Sequence, residues 1–275
     1  MNTNYNKELT PELKEKLSKI KHIALDMDGT IYLDEQLFDG TLDFLRYVKQ
    51  IGGRYLFLTN NSSRSVDKYI EKMHRLGIEA VKEDFLTSVD ATVPRLKEKN
   101  YRKIYALGTA SFQSQLREAG LCITNRPEDD VDCLCMGFDT ELTFQKLEDA
   151  CILLNRGVDY IATNPDWVCP TWYGYVPDCG SVSQMLEHAT KRKPEFIGKP
   201  SPAMAYLAME RTGYTREQTV MIGDRLYTDI ASGIHAGIST IFVLSGEGTM
   251  EDVKTGEWKP EFIYPDIRAL YEDLR

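Results

Sequence analysis

The sequence predicts an α/β protein built on a parallel β-sheet, and three observations indicate this class. Short apolar runs of strand length alternate with longer segments in which apolar residues recur at helical spacing. Many of the short runs are apolar at successive positions, as is typical of strands covered on both faces in a parallel sheet. Glycines follow the helical segments, where they can end a helix in the left-handed conformation; they are Gly77, Gly120, Gly157, Gly213 and Gly237.

The predicted strands follow one another along most of the chain. They are HIALD from His22, YLFLTN from Tyr55, KIYALG from Lys103, CLCMGF from Cys133, YIATNPD from Tyr160, EFIGKP from Glu195, TVMIGD from Thr219 and STIFVLSG from Ser239. A helix is predicted over Thr41–Gln50, ended by Gly52 and Gly53. Strands that alternate with helices in this way form right-handed β-α-β units.

Length and charge limit the class of function. The chain has 275 residues, enough for one large or two modest domains, and a formal net charge of -9. A net negative surface disfavours general binding to nucleic acids and anionic membranes, because both are polyanions. No apolar run reaches membrane-spanning length, and the leader at about residues 1–20 lacks the apolar centre of a signal peptide. We therefore expect a cytoplasmic protein.

The six cysteines all lie in the middle of the chain, without a C-x-x-C pair or a histidine at zinc-ligand spacing. Cys133 and Cys135 alternate within an apolar run, which favours buried free thiols on a strand over a zinc site or disulfides.

Polar residues that could take part in catalysis or ligand binding follow only some of the predicted strands. They stand at Asp26, Thr59, Lys199 and Asp224, and the carboxyl ends of parallel strands form the ligand crevice of such sheets. Between residues 86 and 187 the strands end without a comparable cluster, apart from Asn164 and Asp166. This distribution predicts an inserted α/β domain over 86–187 and a discontinuous core formed by 1–85 and 188–275.

The motif D-x-D-G-T begins at Asp26, directly after an apolar strand. An Asp-Gly pair alone is an ordinary β-turn. Two carboxylates here also suit phosphoryl transfer through an aspartyl-phosphate, with Asp26 as the nucleophile and Asp28 as the general acid and later the base. Gly29 allows backbone N–H groups to approach phosphate oxygens, and Thr30 closes the turn.

Thr59 ends a strand, and a run of Asn and Ser follows it before an amphipathic helix. Such a run is often only an N-cap. A strand-to-helix turn of this kind is also an anion site, so we predict phosphate contacts from the Thr59 hydroxyl and the Asn60 backbone N–H.

Lys199 stands between a glycine and a proline at a predicted strand end. The neighbouring residues do not form a P-loop, because Pro200 replaces the required Ser or Thr and Lys193 stands in place of the first glycine. The alternatives are a surface lysine and a charge stabiliser in the crevice.

Asp224 ends an apolar strand, and Asp229 follows on the next helix. An aspartate in a turn followed by an aspartate on a helix, with no metal ion, would give the same sequence pattern. The functional interpretation is a Mg²⁺ site with Asp26, Asp224 and the backbone carbonyl of Asp28 as ligands, and with Asp229 holding coordinated water. A phosphate dianion beside three carboxylates would be strongly repelled, so this chemistry requires both Mg²⁺ and the Lys199 ammonium.

Together these four motifs resemble those of the haloacid dehalogenase superfamily. The resemblance implies magnesium-dependent phosphohydrolase activity on a Rossmann-like three-layer core with a mobile cap, and it supports the roles given above for Asp26, Asp28, Lys199 and Asp224. The long insert, with IATNPDW, PDCGSVSQMLEHAT and IGKPSP, resembles the p-nitrophenyl-phosphatase-like branch with its C2-type (subclass IIA) α/β cap.

The inserted domain carries the groups that we expect near the substrate. They are Asn164, Asp166, Tyr173 and Tyr175, although all four could instead stabilise a loop and pack the cap. Closure of a cap excludes water from the reaction and presents groups that read the leaving group.

The expected function is a magnesium-dependent phosphatase of small phosphorylated metabolites, such as sugar phosphates or nucleoside monophosphates, with no nucleic-acid or membrane partner. A phosphomutase or phosphotransferase of the same superfamily, and a non-catalytic phosphometabolite sensor, are the alternatives. We also expect a homodimer formed through the cap.

Overall fold

The structure, a computed structural model, describes residues 10–171 and 173–275. Within these residues the strands are β1 (His22–Leu25), β2 (Tyr32–Leu33), β3 (Gln36–Leu37), β4 (Arg54–Thr59), β5 (Phe85–Thr87), β6 (Ile104–Leu107), β7 (Ile123–Thr124), β8 (Cys133–Met136), β9 (Asp159–Ala162), β10 (Val168–Thr171), β11 (Gly174–Pro177), β12 (Glu195–Phe196), β13 (Thr219–Gly223), β14 (Ser239–Val243) and β15 (Phe262–Tyr264). All eight predicted strands are present.

The α-helices of the described residues alternate with these strands. They are α1 (Pro11–Lys19), α2 (Thr41–Gln50), α3 (Val66–Arg75), α4 (Ser88–Glu98), α5 (Ala110–Glu118), α6 (Phe144–Arg156), α7 (Cys179–Thr190), α8 (Ala203–Thr212), α9 (Ala231–Ala236), α10 (Met250–Thr255) and α11 (Ile267–Leu274). Of the predicted leader, residues 1–9 lie outside the described residues, and the remainder forms α1 with Thr10 as its N-cap. The α/β class is confirmed.

The chain divides into two compact units. Unit 1 consists of the described residues up to Thr59, together with Ile70–Leu86 and Lys199–Arg275. Its six-stranded sheet has the order β15-β14-β13-β1-β4-β5 among the described residues, and β1 pairs in parallel with both β13 and β4. The carboxyl ends of β4, β1 and β13 therefore lie side by side.

Unit 2 consists of Asn60–Tyr69 and Thr87–Gly198. Its sheet has the order β12-β9-β8-β6-β7, parallel throughout, and the antiparallel hairpin β10-β11 follows β9 in the chain. Its core is formed by apolar side chains of this sheet and of α6 and α7, Leu134, Leu153 and Leu186 among them.

The unit boundaries differ from the expected ones at three places, of which the smallest is Leu86, expected in the inserted domain but part of unit 1. Residues 188–198, expected in the second part of the core, belong to unit 2, because β12 pairs with β9 and Phe196 packs on the unit 2 core. Asn60–Tyr69, expected in the first part of the core, also belongs to unit 2. The strand before Lys199 is thus not a strand of the unit 1 sheet.

The cysteines are free thiols, as expected. Cys133 and Cys135 are buried in β8, and burial raises the pKa of both thiols. Cys122 is exposed. In the part of the chain that the structure describes, no helix is both long and apolar enough to span a membrane.

His22 begins β1 and is completely buried in unit 1. Its Nδ1 lies 3.3 Å from Thr219 Oγ1, its ring stacks on Tyr214, and its Nε2 has no hydrogen-bond partner among the described residues. Burial, and secondarily the charge of Arg54, lowers the pKa of His22 from 6.5 to about 4. The folded protein therefore keeps this imidazole neutral at pH values where the unfolded chain protonates it.

Stability should consequently fall as the pH drops from 6.5 towards 4, because the unfolded state binds the extra proton. Because of His22, we expect the free energy of unfolding to be about 2 kcal/mol lower at pH 5 than at pH 7. Urea denaturation of wild type and His22→Val at both pH values measures this, since the variant should lose that share of the pH dependence. Equal pH dependence in the two proteins would contradict the assignment.

Candidate active site

The D-x-D-G-T turn emerges from the buried strand β1, so that Asp26 stands at the carboxyl end of the unit 1 sheet. Its backbone N–H donates to the carbonyl of Ile222, which continues the pairing with β13 by one step. The Thr30 hydroxyl donates to Asp26 Oδ2 at 3.4 Å. The nucleophile candidate is therefore held on the rigid centre of the sheet, which favours precise orientation.

Lys199 lies beside Asp26 in unit 1. Its Nζ is 2.6 Å from Asp26 Oδ1, 2.6 Å from Asp229 Oδ1 and 3.1 Å from the carbonyl oxygen of Leu58. The side chain is 3% exposed, and its three donors have three acceptors. Lys199 is thus a buried charge partner and not a surface lysine.

The two later aspartates close the cluster on the side of β13. One carboxylate oxygen from each of Asp26, Asp224 and Asp229 lies within 4.8 Å of the others. Asp224 Oδ2 accepts the Glu247 N–H at 2.7 Å, and Asp229 Oδ2 accepts the Arg225 N–H at 3.1 Å. These bonds fix both carboxylates through the backbone.

Three glycines pack so closely against Asp224 and Asp229 that a side chain at these glycine positions would not fit. A Cβ at Gly29 or at Gly246 would overlap the Asp224 carboxylate, and one at Gly223 would overlap Asp229. Gly29 also has φ +87°, a conformation that favours glycine. Glycine is therefore required at all three positions.

Electrostatics within the cluster are dominated by burial and by like charges. Burial, and then the charge of Asp229, raises the pKa of Asp26 well above its usual range. The same two causes raise the pKa of Asp224 to about 7. Burial lowers the pKa of Lys199, but Asp229 and Asp26 outweigh it and leave the net pKa above its ordinary value. The lysine therefore stays charged.

The residues of this cluster fit a divalent metal ion. With all three carboxyl groups ionised, the cluster and the Lys199 ammonium together carry two excess negative charges, which a divalent cation would balance. Asp224 Oδ1 is buried and has no hydrogen-bond donor among the described residues, so one hard oxygen points to no protein partner. Carboxylate oxygens are the ligands that Mg²⁺ prefers in proteins.

Asp28 lies at the exposed side of the turn, with 48% of its side chain exposed. The Tyr32 hydroxyl is 3.4 Å from Asp28 Oδ2, and Lys72 Nζ is 3.7 Å from Asp28 Oδ1 and 3.7 Å from the centre of the Tyr32 ring. An exposed carboxyl two residues from the partly buried Asp26 suits a group that exchanges protons with substrate and water.

Two predicted phosphate contacts, Gly29 and Thr30, use their backbone N–H groups inside the turn. Gly29 donates to the carbonyl of Tyr32 at 2.8 Å, and Thr30 donates to that of Met27 at 3.1 Å. Thr59 ends β4, next to the Leu58 carbonyl that binds Lys199. The phosphate contacts of these residues and of Asn60 stay predictions.

The four predicted substrate residues lie in unit 2, in two different settings. Asn164 and Asp166 are buried and hydrogen-bonded to Asn60: Asn164 Nδ2 donates to the Asn60 carbonyl, and Asn60 Nδ2 donates to Asp166 Oδ1. Tyr173 and Tyr175 belong to the β10-β11 hairpin region and are 64% and 63% exposed. The structure therefore separates a buried pair from an exposed pair.

Sequence reasoning missed the segment that follows β14. The Ser245 hydroxyl donates to the Gly29 carbonyl at 2.7 Å, Gly246 packs against Asp224, and the Glu247 N–H binds that same carboxylate. The signal was present, because the predicted strand STIFVLSG ends in Ser245 and Gly246, and Glu247 follows it directly.

Comparison with known proteins agrees with this geometry. The profile described as haloacid dehalogenase-like hydrolase matches residues 23–122, and a second, HAD-hydrolase-like profile matches residues 196–270. An acid sugar phosphatase of Staphylococcus aureus is 33% identical over 259 residues, which cover 94% of this chain and 99% of the relative. The chain belongs to the haloacid dehalogenase-like hydrolases.

Solved structures of haloacid dehalogenase-like phosphatases share the fold. A 4-nitrophenylphosphatase from Thermotoga maritima is 40% identical with a TM-score of 0.89, covering 94% of this chain and 99% of its own. A glycerol phosphate phosphatase from Mycobacterium tuberculosis, solved in complex with magnesium, is 29% identical with a TM-score of 0.87, covering 94% and 78%. This member of the haloacid dehalogenase-like hydrolases is accordingly a phosphoric monoester hydrolase.

Proposed function

We propose that the chain hydrolyses small phosphate monoesters with Mg²⁺ through an aspartyl-phosphate on Asp26. The observation that carries the proposal is the largely buried cluster of Asp26, Lys199, Asp224 and Asp229, in which one carboxylate oxygen, Asp224 Oδ1, has no hydrogen-bond partner among the described residues. Such a cluster pairs a fixed nucleophile with the positive charge that a phosphate dianion needs for binding.

In the first step, an Asp26 carboxylate oxygen attacks phosphorus and forms the acyl-phosphate bond. The bond from phosphorus to the leaving oxygen breaks, and Asp28 gives its proton to that oxygen. In the second step, Asp28 takes a proton from water, whose oxygen attacks phosphorus and releases Asp26 and inorganic phosphate. Lys199 and Thr59 bind the phosphoryl oxygens in both steps.

Asp26, Asp224 and the backbone carbonyl of Asp28 would hold Mg²⁺, and Asp229 would bind its coordinated water. A bound Mg²⁺ neutralises phosphoryl charge and orients the phosphate towards the nucleophile. The magnesium complex of the Mycobacterium tuberculosis relative supports this choice of metal.

We propose a small phosphorylated metabolite as the partner, in the class of sugar phosphates or nucleoside monophosphates, and a cytoplasmic location. Unit 2 would act as the cap, with Tyr173 and Tyr175 reading the leaving group. Relatives described as an acid sugar phosphatase and a glycerol phosphate phosphatase support a small polyol or sugar leaving group. Exposed aromatic side chains of unit 2, such as Phe144 and Trp167, support a homodimer through this unit.

A phosphate-release assay tests the proposed reaction. Purified protein with Mg²⁺ should release inorganic phosphate from p-nitrophenyl phosphate and from at least one class of a panel of sugar phosphates, polyol phosphates and nucleoside monophosphates. The diester bis-p-nitrophenyl phosphate is the matched control and should stay intact, since it carries one negative charge fewer for Lys199 and the metal. Absence of phosphate release from every monoester would contradict the proposal.

A further inference from the structure

The chain passes between its two units at places that adjoin active-site residues. Thr59 is the last residue of a unit 1 segment and Asn60 the first of unit 2, while Gly198 ends unit 2 and Lys199 resumes unit 1. One peptide bond thus separates each of Thr59 and Lys199 from unit 2. The position of these unit 2 residues therefore bears directly on two groups that bind phosphate in the proposed mechanism.

Within unit 2, Asn60 is fixed by a buried hydrogen-bond network. Its side-chain Nδ2 donates to Asp166 Oδ1 at 3.0 Å, and its carbonyl accepts from Asn164 Nδ2 at 2.9 Å and from the Ser88 hydroxyl at 2.6 Å. The Asp166 N–H in turn donates to Asn164 Oδ1 at 2.9 Å. Asn60, Asn164 and Asp166 thus form one buried hydrogen-bond network that restricts the orientation of each side chain.

The same Asn60 side chain lies against Gly198. A Cβ at Gly198 would stand 2.5 Å from Asn60 Oδ1 and 2.6 Å from the carbonyl oxygen of Thr163. The Gly198 N–H donates to that same Thr163 carbonyl at 2.8 Å. Asp166, by orienting the Asn60 amide, also fixes the surface on which Gly198 rests.

These contacts favour a role for Asp166 other than the substrate contact that the sequence predicts. A side chain that is buried and bonded to Asn60 is poorly placed to read a variable leaving group. A side chain that fixes the Thr59–Asn60 and Gly198–Lys199 segments should affect every substrate alike, because all substrates share the phosphoryl group.

We propose that Asp166 is a positioning residue, which acts through Asn60 to set the Thr59–Asn60 and Gly198–Lys199 segments for phosphate binding. The proposal deepens the proposed function and rests on it for the identity of the bound group. It makes the effect of Asp166 independent of the leaving group.

Asp166→Ala tests the proposal by steady-state kinetics with Mg²⁺ on p-nitrophenyl phosphate and on the best sugar or polyol phosphate of the panel. We expect kcat/KM to fall by about 10- to 100-fold for both esters, because small displacements of positioning groups cost that much. Inhibition by inorganic phosphate should weaken by about tenfold as well, since phosphate has no leaving group. Asp166→Asn keeps an acceptor oxygen for Asn60 and should retain activity within about threefold.

Two controls separate positioning from a general loss of stability. Asp149→Ala removes another buried carboxylate of unit 2, one that accepts from Tyr105 and Gln145, and it should leave phosphate inhibition unchanged. In an Asn60→Ala background the further change Asp166→Ala should have little additional effect, because Asp166 acts through Asn60.

Two results would overturn the proposal. One is a loss in Asp166→Ala for one ester but not the other, which would mean that Asp166 reads the leaving group. The other is a lower melting temperature with unchanged phosphate inhibition, which would mean a purely structural role. If wild type releases no phosphate at all, the proposed function fails, and the test becomes protection from thermal unfolding by inorganic phosphate with Mg²⁺. Wild type and Asp149→Ala should then show that protection and Asp166→Ala should lose it, whereas equal protection in all three would contradict the proposal.

Discussion

Asp26→Asn is expected to lower kcat by on the order of 10⁴-fold or more, because the amide cannot attack phosphorus and the two neighbouring carboxylates have other contacts. Asp229 already binds Lys199, and Asp224 binds the Glu247 N–H. Steady-state phosphate release with saturating p-nitrophenyl phosphate and Mg²⁺ measures the effect.

The same variant should stay folded. Burial and the charge of Asp229 raise the pKa of Asp26, so the metal-free protein holds this carboxylate at a cost that asparagine removes. We expect a melting temperature in EDTA that equals or exceeds that of wild type. Asp39→Asn makes the same change at an exposed aspartate and is the matched control; it should keep full activity. Turnover by Asp26→Asn within tenfold of wild type would exclude Asp26 as the nucleophile.

Removal of divalent metal should abolish phosphate release, with an expected loss of at least about 100-fold, because the phosphate dianion would then face the carboxylates with only Lys199 as counter-charge. Dialysis against EDTA, followed by activity measurements before and after added Mg²⁺, tests this expectation. Full restoration by Mg²⁺ is expected. Activity that survives chelation unchanged would rule out the proposed metal site.

A thermal measurement separates metal binding from catalysis. Mg²⁺ should raise the melting temperature of wild type, since it binds the folded state and gives Asp224 Oδ1 a partner. Asp224→Asn removes one charge from the site and should lose most of that increase. An equal increase in both proteins would mean that Mg²⁺ binds elsewhere.

Much of the unit 1 site followed from local patterns in the sequence. Asp26, Thr59 and Asp224 each end an apolar run, and parallel strands bring their carboxyl ends to one edge, so β1, β4 and β13 place these residues together. Lys199 was located correctly but for an incorrect reason. Its preceding strand β12 pairs in unit 2, and only the tertiary structure brings the ammonium to Asp26.

Features that depend on long-range pairing were not predicted. Strands β5, β7 and β15 have only two or three residues, too few to show a periodic pattern, and β10-β11 is a partly exposed hairpin. The buried bonds from Asn60 to Asn164 and Asp166 join positions more than one hundred residues apart, a separation at which periodicity carries no information. The sequence therefore could not show that these two residues are hydrogen-bonded to Asn60.

The discontinuity of unit 1 also has a consequence for synthesis on the ribosome. The central strand β1 pairs with β13, so His22 can pair with Thr219 only after about two hundred further residues have been synthesised. The paired strands of unit 2, in contrast, all lie between Ile104 and Phe196. Long-range pairings form late because loop closure must precede them. The nascent chain should therefore acquire the unit 2 sheet first, and its unit 1 sheet should be completed only after β13, β14 and β15 have left the exit tunnel.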